Sequence, residues 1–271
     1  MLKRLVSAAI LIPLVVWSVL VLPTTALAGL LGVVVLAGAL EWTHLIPCRA
    51  LAGRISYLGL VSLALLTAWW LQARPGPVAD VLGAVVLAWL GALVWVLRPV
   101  LGSVGGLGTR WVKGAAGVVF LAAAWLALTV LHRSPQGPQL MLFLLVLIWC
   151  ADSGAYLAGR RWGRRKLAPA VSPGKTWEGV LGGLVLAGAF SVLGGWLLGW
   201  RGPALFRFSG LCLLTVSFSV LGDLYESLLK RHEGVKDSGN LIPGHGGVLD
   251  RVDSLLAAAP VFVVGLHLLD L

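Results

Sequence analysis

Charge is scarce in this chain. Asp, Glu, Lys and Arg together make up 12% of its 271 residues, roughly half the share in a soluble globular domain. Apolar residues reach 59% and fall in long runs, and a run of about 20 is what a helix needs to cross a bilayer. An ordinary water-soluble fold is therefore excluded. Cysteine is scarcer still: Cys48, Cys150 and Cys212 lie in or beside apolar segments, with no C-x-x-C spacing. They imply no disulfide framework or metal site and are expected to be buried packing residues. A Pro/Gly/Ser linker and an internal repeat are also missing. Residues 1–271 thus read as one membrane domain, with helices alone over 1–135 and most of the acids in 139–271.

What is present is a series of membrane spans. The expected fold is all-α, a polytopic integral membrane protein of about nine transmembrane helices. They run roughly over 5–22, 26–46, 56–73, 78–97, 112–131, 139–158, 178–200, 207–226 and 254–270. The first run follows Lys3 and Arg4 as a signal peptide would. No small-residue cleavage site leads from it into a polar mature domain, so it reads as a retained helix. Lys and Arg number 21. With the N-terminus inside, all but Arg74, Arg133, Arg201 and Arg207 fall in inside loops, Arg49, Arg54, Arg98, Arg110 and Lys113 among them. The positive-inside rule then places the N-terminus in the cytoplasm and the C-terminus outside. The same distribution ties the net charge of +10 to topology and anionic ligands, and no nucleic-acid partner is expected. Trp17, Trp42, Trp69, Trp70 and Trp200 sit near span ends, where Trp favours the interface. Plentiful Gly and Ala let helices approach closely, and such faces permit a homodimer.

The acids number only 11, and their positions are informative. Asp80 and Asp270 fall outside, and Glu41 sits near the inner end of the second span. Asp152, Glu178, Asp223, Glu226, Glu233, Asp237, Asp250 and Asp253 all lie at or near the inner face. Acids bordering a bilayer are costly and mark a functional site or a paired charge. The spacing of Asp223, Glu226, Ser227 and Lys230 puts them on one helical stripe. Asp250 and Asp253 share a face at the start of the last span. Between these pairs lie the turn formers Asp237-Ser238-Gly239-Asn240 and Pro243-Gly244-His245-Gly246-Gly247. Two acid-bearing helix ends joined by a Gly-rich loop suit a hard cation held by oxygen. The loop also offers backbone N–H groups to a phosphate. Charge pairing alone accounts for any one of these acids, but less well for the whole of 223–253.

Two further clusters precede this stretch. In Ala151-Asp152-Ser153-Gly154-Ala155-Tyr156, Asp152 follows an apolar run and is expected inside the bundle. After it come Arg160, Arg161, Arg164, Arg165 and Lys166, which suit lipid headgroups or a nucleotide polyphosphate, or act only as topology determinants. The segment Ser172-Pro173-Gly174-Lys175-Thr176-Trp177-Glu178 resembles the end of a Walker A loop. That match fails, because its first Gly would fall at Pro169 and no strand is expected before it. A lysine and a hydroxyl gripping phosphate before a helix start is the simpler reading.

The run from Ser227 through Lys230-Arg231, Lys236-Asp237 and Pro243-Gly244-His245-Gly246-Gly247 to Asp250-Arg251-Val252-Asp253 resembles the signature of the phosphatidate cytidylyltransferases (CDP-diacylglycerol synthases). The Ala151–Tyr156 and Ser172–Gly179 segments are similar to that family as well, and the likeness is strongest over 150–255. One departure stands out: the family commonly has Ser-Pro-Lys-Lys-Thr, and this chain has Gly174 before Lys175. Any charge that the first lysine supplies must come from elsewhere, with Arg164 or Arg165 expected.

The resemblance implies transfer of the cytidylyl group of CTP to phosphatidic acid, with pyrophosphate released. Catalytic roles then fall to Asp223, Lys230, Asp250 and Asp253. Substrate binding falls to Ser172, Lys175, Thr176, Ser227, Arg231, Lys236, His245 and Arg251. Asp223 and Asp250 are the leading metal ligands, with Asp152 and Glu226 beside them. Mg²⁺ is the expected cofactor, and a second cation is left open. Partners are CTP, phosphatidic acid and membrane lipids, at the cytoplasmic face of the inner membrane. The N-terminal helices are then expected to make the lipid or dimer contacts. Two rivals fit less of the pattern. A CTP-dependent lipid kinase of the polyprenol type would attack the γ-phosphorus instead. A transporter would be expected to show a counterpart of the acid cluster in its first half.

Overall fold

The computed structural model describes residues 2–271 apart from Pro47, Arg49, Pro75, Val104, Gly105, Asn240 and residues 242–245. In the first helix it describes the side chains of residue 9 and of 11–21. Arg49, His245 and the side chains of Lys3 and Arg4 therefore lie outside the described residues.

Among the described residues the chain forms α1 (Leu2–Val21), α2 (Thr24–Leu45), α3 (Leu51–Leu71), α4 (Pro77–Leu97), α5 (Leu107–Arg133) and α6 (Gly137–Trp162). A hairpin of β1 (Lys166–Ala168) and β2 (Ser172–Thr176) follows, then α7 (Trp177–Leu197), α8 (Gly202–His232) and α9 (Leu249–Leu268). The eight helices α2 to α9 are long and apolar enough to cross a membrane, and in α1 the apolar stretch among the described residues is Leu11–Val21. The protein is an all-α, multi-pass membrane protein. Its outward faces carry Leu63, Leu66, Val185 and Leu197, side chains that lipid solvates as readily as a protein core would. The enclosed helix is α5, which packs against α2, α3 and α9.

Several helix ends lie beyond the limits that hydropathy sets. α6 continues to Trp162 with Arg160 and Arg161 in its last turn, and α8 continues to His232 with Lys230 and Arg231. α9 starts at Leu249, so Asp250 is already in its first turn. The i→i−4 ladder needs no apolar side chains once the helix leaves the bilayer, and basic groups at a C-terminus or acids at an N-terminus complement the helix dipole. The hairpin is the other difference. Lys166 pairs with Thr176 and Ala168 with Ser172 in antiparallel register, in a segment with no period-two alternation to announce a strand.

α6 and α7 are the most extensively paired helices. A Cβ at Gly154 would lie 2.6 Å from the Gly182 carbonyl oxygen, and one at Gly183 would lie 2.7 Å from the Ala151 carbonyl oxygen. At Gly182 it would overlap the Ala158 side chain. The two backbones touch, which is how helices gain affinity in lipid without a hydrophobic drive. Gly182→Val is therefore expected to cost about 1–3 kcal/mol through overpacking. A melt in detergent would show this as a midpoint several degrees lower.

On α8, Tyr225 fixes the rotation. Its ring meets Trp89 and Phe120 edge-on at centroid distances of 5.7 Å, while those two stack at 4.0 Å. With Tyr225 held against α4 and α5, the face bearing Asp223 turns toward α6, α7 and α9.

Candidate active site

The functional side chains gather where the C-terminal ends of α2, α4, α6 and α8 meet the N-terminal ends of α3, α5, α7 and α9. Two adjoining cavities open there. One, of about 390 Å³, has Arg160, Lys175, Thr176 and Gly179 in its wall together with Asp152, Asp223 and Ser254. The other, of about 310 Å³, shares Asp152, Asp223 and Ser254 and adds Asp250, Arg251 and Asp253. Helices far apart in sequence thus present carboxylates and cations to one shared edge.

Lys175 and Lys230 are held by acids. Lys175 Nζ lies 2.7 Å from Asp223 Oδ2, which joins β2 to α8. Lys230 Nζ lies 3.2 Å from Glu226 Oε2 and 2.7 Å from Asp250 Oδ1, bridging α8 and α9. Asp250 also accepts from the backbone N–H of Gly247 at 2.8 Å and of Ser238 at 3.2 Å. Ser227 donates its hydroxyl to Asp223 Oδ1 at 3.2 Å. The Asp253 carboxyl neighbours those of Asp223 and Glu226. Like charges so close repel strongly, and the bridging lysines offset part of that repulsion.

The other sequence-predicted residues are placed as follows. Thr176 caps α7, its hydroxyl oxygen accepting from Gly179 N–H at 3.1 Å, so its first task is structural. Ser172 is in β2 opposite Ala168. Arg231 is exposed and donates from Nε to the Val171 carbonyl at 3.2 Å, which ties α8 to the hairpin turn. Lys236 is exposed beyond the end of α8. Arg164 and Arg165 were expected to replace the charge absent at Gly174. Their backbone N–H groups are held by Glu178, at 3.1 and 3.2 Å. The arginine that lines the cavity with Lys175 and Gly174 is Arg160, whose Nη1 donates to Tyr156 Oη at 2.9 Å. A helical period separates it from Asp152 by about two turns, a spacing that could have singled it out. A Cβ at Gly174 would meet nothing within 4 Å, so no crowding demands glycine there.

The donor set suits a hard cation in kind, since it is all carboxylate oxygen. Among the described residues no three of His, Cys, Asp and Glu stand together closely enough to hold an ion unaided. Mg²⁺ seldom asks for that: it usually takes one or two carboxylates and completes its shell with substrate phosphates and water. Carboxylates spread around a cavity fit this mode.

The sequence pattern of the Cytidylyltransferase family matches residues 2–269. The chain belongs to that family. Among its relatives, the phosphatidate cytidylyltransferase of Pseudomonas aeruginosa is 42% identical over 96% of this chain and 94% of its own length. That of Bacillus subtilis is 35% identical over 76% of this chain and 77% of its own, and that of Haemophilus influenzae 54% over 48% and 46%. As a cytidylyltransferase the protein is a nucleotidyltransferase, an enzyme class whose problem is to bring polyphosphates together.

Proposed function

We propose that the protein transfers the cytidylyl group of CTP to phosphatidic acid, giving CDP-diacylglycerol and pyrophosphate. The observation that carries this reading is the paired cavities, which share Asp152, Asp223 and Ser254 and draw Lys175 and Arg160 to one side and Asp250 and Arg251 to the other. A reaction joining two polyanions calls for two adjacent seats with a common boundary, and a relative alike over nearly the whole chain carries the matching name.

In the proposed step an oxygen of the phosphatidate phosphate attacks the α-phosphorus of CTP. The new oxygen–phosphorus bond forms as the bond from the α-phosphorus to the bridging oxygen breaks, and pyrophosphate leaves with that electron pair. The nucleophile is already ionised near neutral pH, so no general base is required. Positioning and charge neutralisation then supply the rate. Lys175 and Arg160 hold phosphate in one cavity, and Arg251 does so in the other. Lys230 is oriented by Glu226 and Asp250 and keeps the two acid-bearing helices in register. Asp223 and Asp250, with Asp152 and Glu226 nearby, would hold Mg²⁺, which when bound offsets phosphate charge and favours departure of pyrophosphate. The acyl chains stay in the bilayer. The end bearing the basic loops faces the cytoplasm, and the membrane is the inner one.

The purified protein in proteoliposomes is expected to release pyrophosphate from CTP only when phosphatidic acid is present. Release of CDP instead would indicate phosphorylation of a lipid and overturn the assignment.

A further inference from the structure

An acid from the other half of the chain reaches the signature stretch. Glu41, near the end of α2, is 2% exposed, and both of its carboxylate oxygens are engaged. Oε1 accepts from Val248 N–H at 3.0 Å, and Oε2 accepts from Leu249 N–H at 2.8 Å and from the Ser238 hydroxyl at 3.2 Å. Val248 is the N-cap of α9 and has no side-chain cap of its own. The first N–H groups of a helix lack intrahelical partners and must be satisfied from outside. Here a carboxylate from a different helix does this, at the end where the helix dipole favours negative charge.

The surrounding residues are fitted to that carboxylate. A Cβ at Gly239 would overlap Glu41, and one at Gly247 would lie 2.5 Å from Glu41 Oε2 and overlap the Ser238 hydroxyl. The two arms of the connection between α8 and α9, at Ser238-Gly239 and at Gly247-Val248, therefore close around Glu41. Asp250 takes the next N–H groups, those of Gly247 and Ser238. Glu41 and Asp250 thus grip the same two arms from opposite sides.

We propose that Glu41 is a positioning residue for the reaction: it sets the start of α9 so that Asp250 meets Lys230 and Asp253 meets Asp223. The assignment of the site given above is assumed here. Glu41 itself is absent from the walls of both catalytic cavities, so its effect passes through Val248, Leu249 and Ser238. Replacing its carboxylate by an amide turns a donor toward one set of N–H groups and leaves them unsatisfied. Outer groups that orient metal or phosphate ligands typically contribute 10–100-fold to activity.

The test compares the full-length protein with Glu41→Gln, Glu41→Asp and Ser238→Ala in detergent and proteoliposomes. Two quantities are followed: kcat and KM for CTP, and the rate of tryptic cleavage after Lys236, which needs no substrate. Glu41→Gln is expected to lower kcat about 10-fold or more, with a smaller change in KM and several-fold faster cleavage at Lys236. Glu41→Asp should recover part of both, and Ser238→Ala should move both in the same direction by less. Unchanged kcat in Glu41→Gln overturns the proposal. So does a fall in kcat with cleavage unchanged, because the acid would then act on the reaction and not on the chain. If Glu41→Gln does not fold, Ser238→Ala decides by the same two readings. Should wild-type protein make no CDP-diacylglycerol, the functional reading fails, while the cleavage rates still decide whether Glu41 holds the connection.

Discussion

Asp250→Asn is expected to lower cytidylyl transfer by at least about 100-fold while leaving the bundle assembled. Asp250 is the point where the site converges. It accepts from Lys230 on α8 and from Ser238 and Gly247 on the connection, at 2.7, 3.2 and 2.8 Å. A carboxylate can accept on both oxygens, whereas an amide must turn an NH₂ group toward one of these donors. At least one contact is lost, and the charge that Asp250 set against Lys230 goes with it, which leaves Glu226 as the carboxylate paired with that lysine. Breaking a buried pair from one side costs about 3 kcal/mol, enough to shift α9 locally but not to unfold the bundle. Turnover at saturating CTP and phosphatidic acid, followed across a Mg²⁺ titration and beside a thermal melt, checks this. The expected result is a low plateau that added Mg²⁺ does not raise, with a melting midpoint only a few degrees lower. Wild-type turnover would remove Asp250 from the site.

Gly222→Ala is expected to be nearly as damaging, although it adds one methyl group and removes no charge. A Cβ at position 222 would lie 2.5 Å from the Asp253 carbonyl oxygen and 3.4 Å from the Ala257 Cβ. Backbone cannot rotate aside, so α8 and α9 must separate. Asp223 and Lys230 are on one of these helices and Asp250 and Asp253 on the other, so the separation falls across the site. A displacement near 1 Å can cost about 100-fold when reacting groups must be aligned. Gly210→Ala on the same helix is the control, because a Cβ there meets nothing within 4 Å and alanine favours helix by about 1 kcal/mol. Activity should collapse in Gly222→Ala and persist in Gly210→Ala. Equal activity in the two would show that the close approach of α8 and α9 does not set the geometry.

Much of this arrangement is legible in the sequence, and the limits have physical causes. Spans are read well because the bilayer imposes a length and a composition, which α2 to α9 satisfy. Asp223 and Lys230 are found because helical spacing aligns them, and Asp250 because it opens an apolar run. Lys230 as a bridge between α8 and α9 is harder to foresee, since the pairing depends on how two helices cross. Glu41 is harder still. It stands alone near a span end, and its partners are mainly backbone N–H groups more than two hundred positions away by sequence number, which leave no mark in side-chain chemistry. Arg160 is set apart in the basic run by its spacing of about two turns from Asp152, whereas the placing of Arg164 and Arg165 depends on the hairpin, which no pattern in the sequence announces. That hairpin commits Glu178 to the backbone of the other two.

The position of the label carried from CTP to lipid tests the central claim most directly. With phosphatidic acid in proteoliposomes, CTP labelled at the α-phosphorus is expected to give a labelled lipid that retains cytidine. CTP labelled at the γ-phosphorus should leave the lipid unlabelled and put all of its label in pyrophosphate. Label from the γ position in the lipid, or none from the α position, would contradict the account.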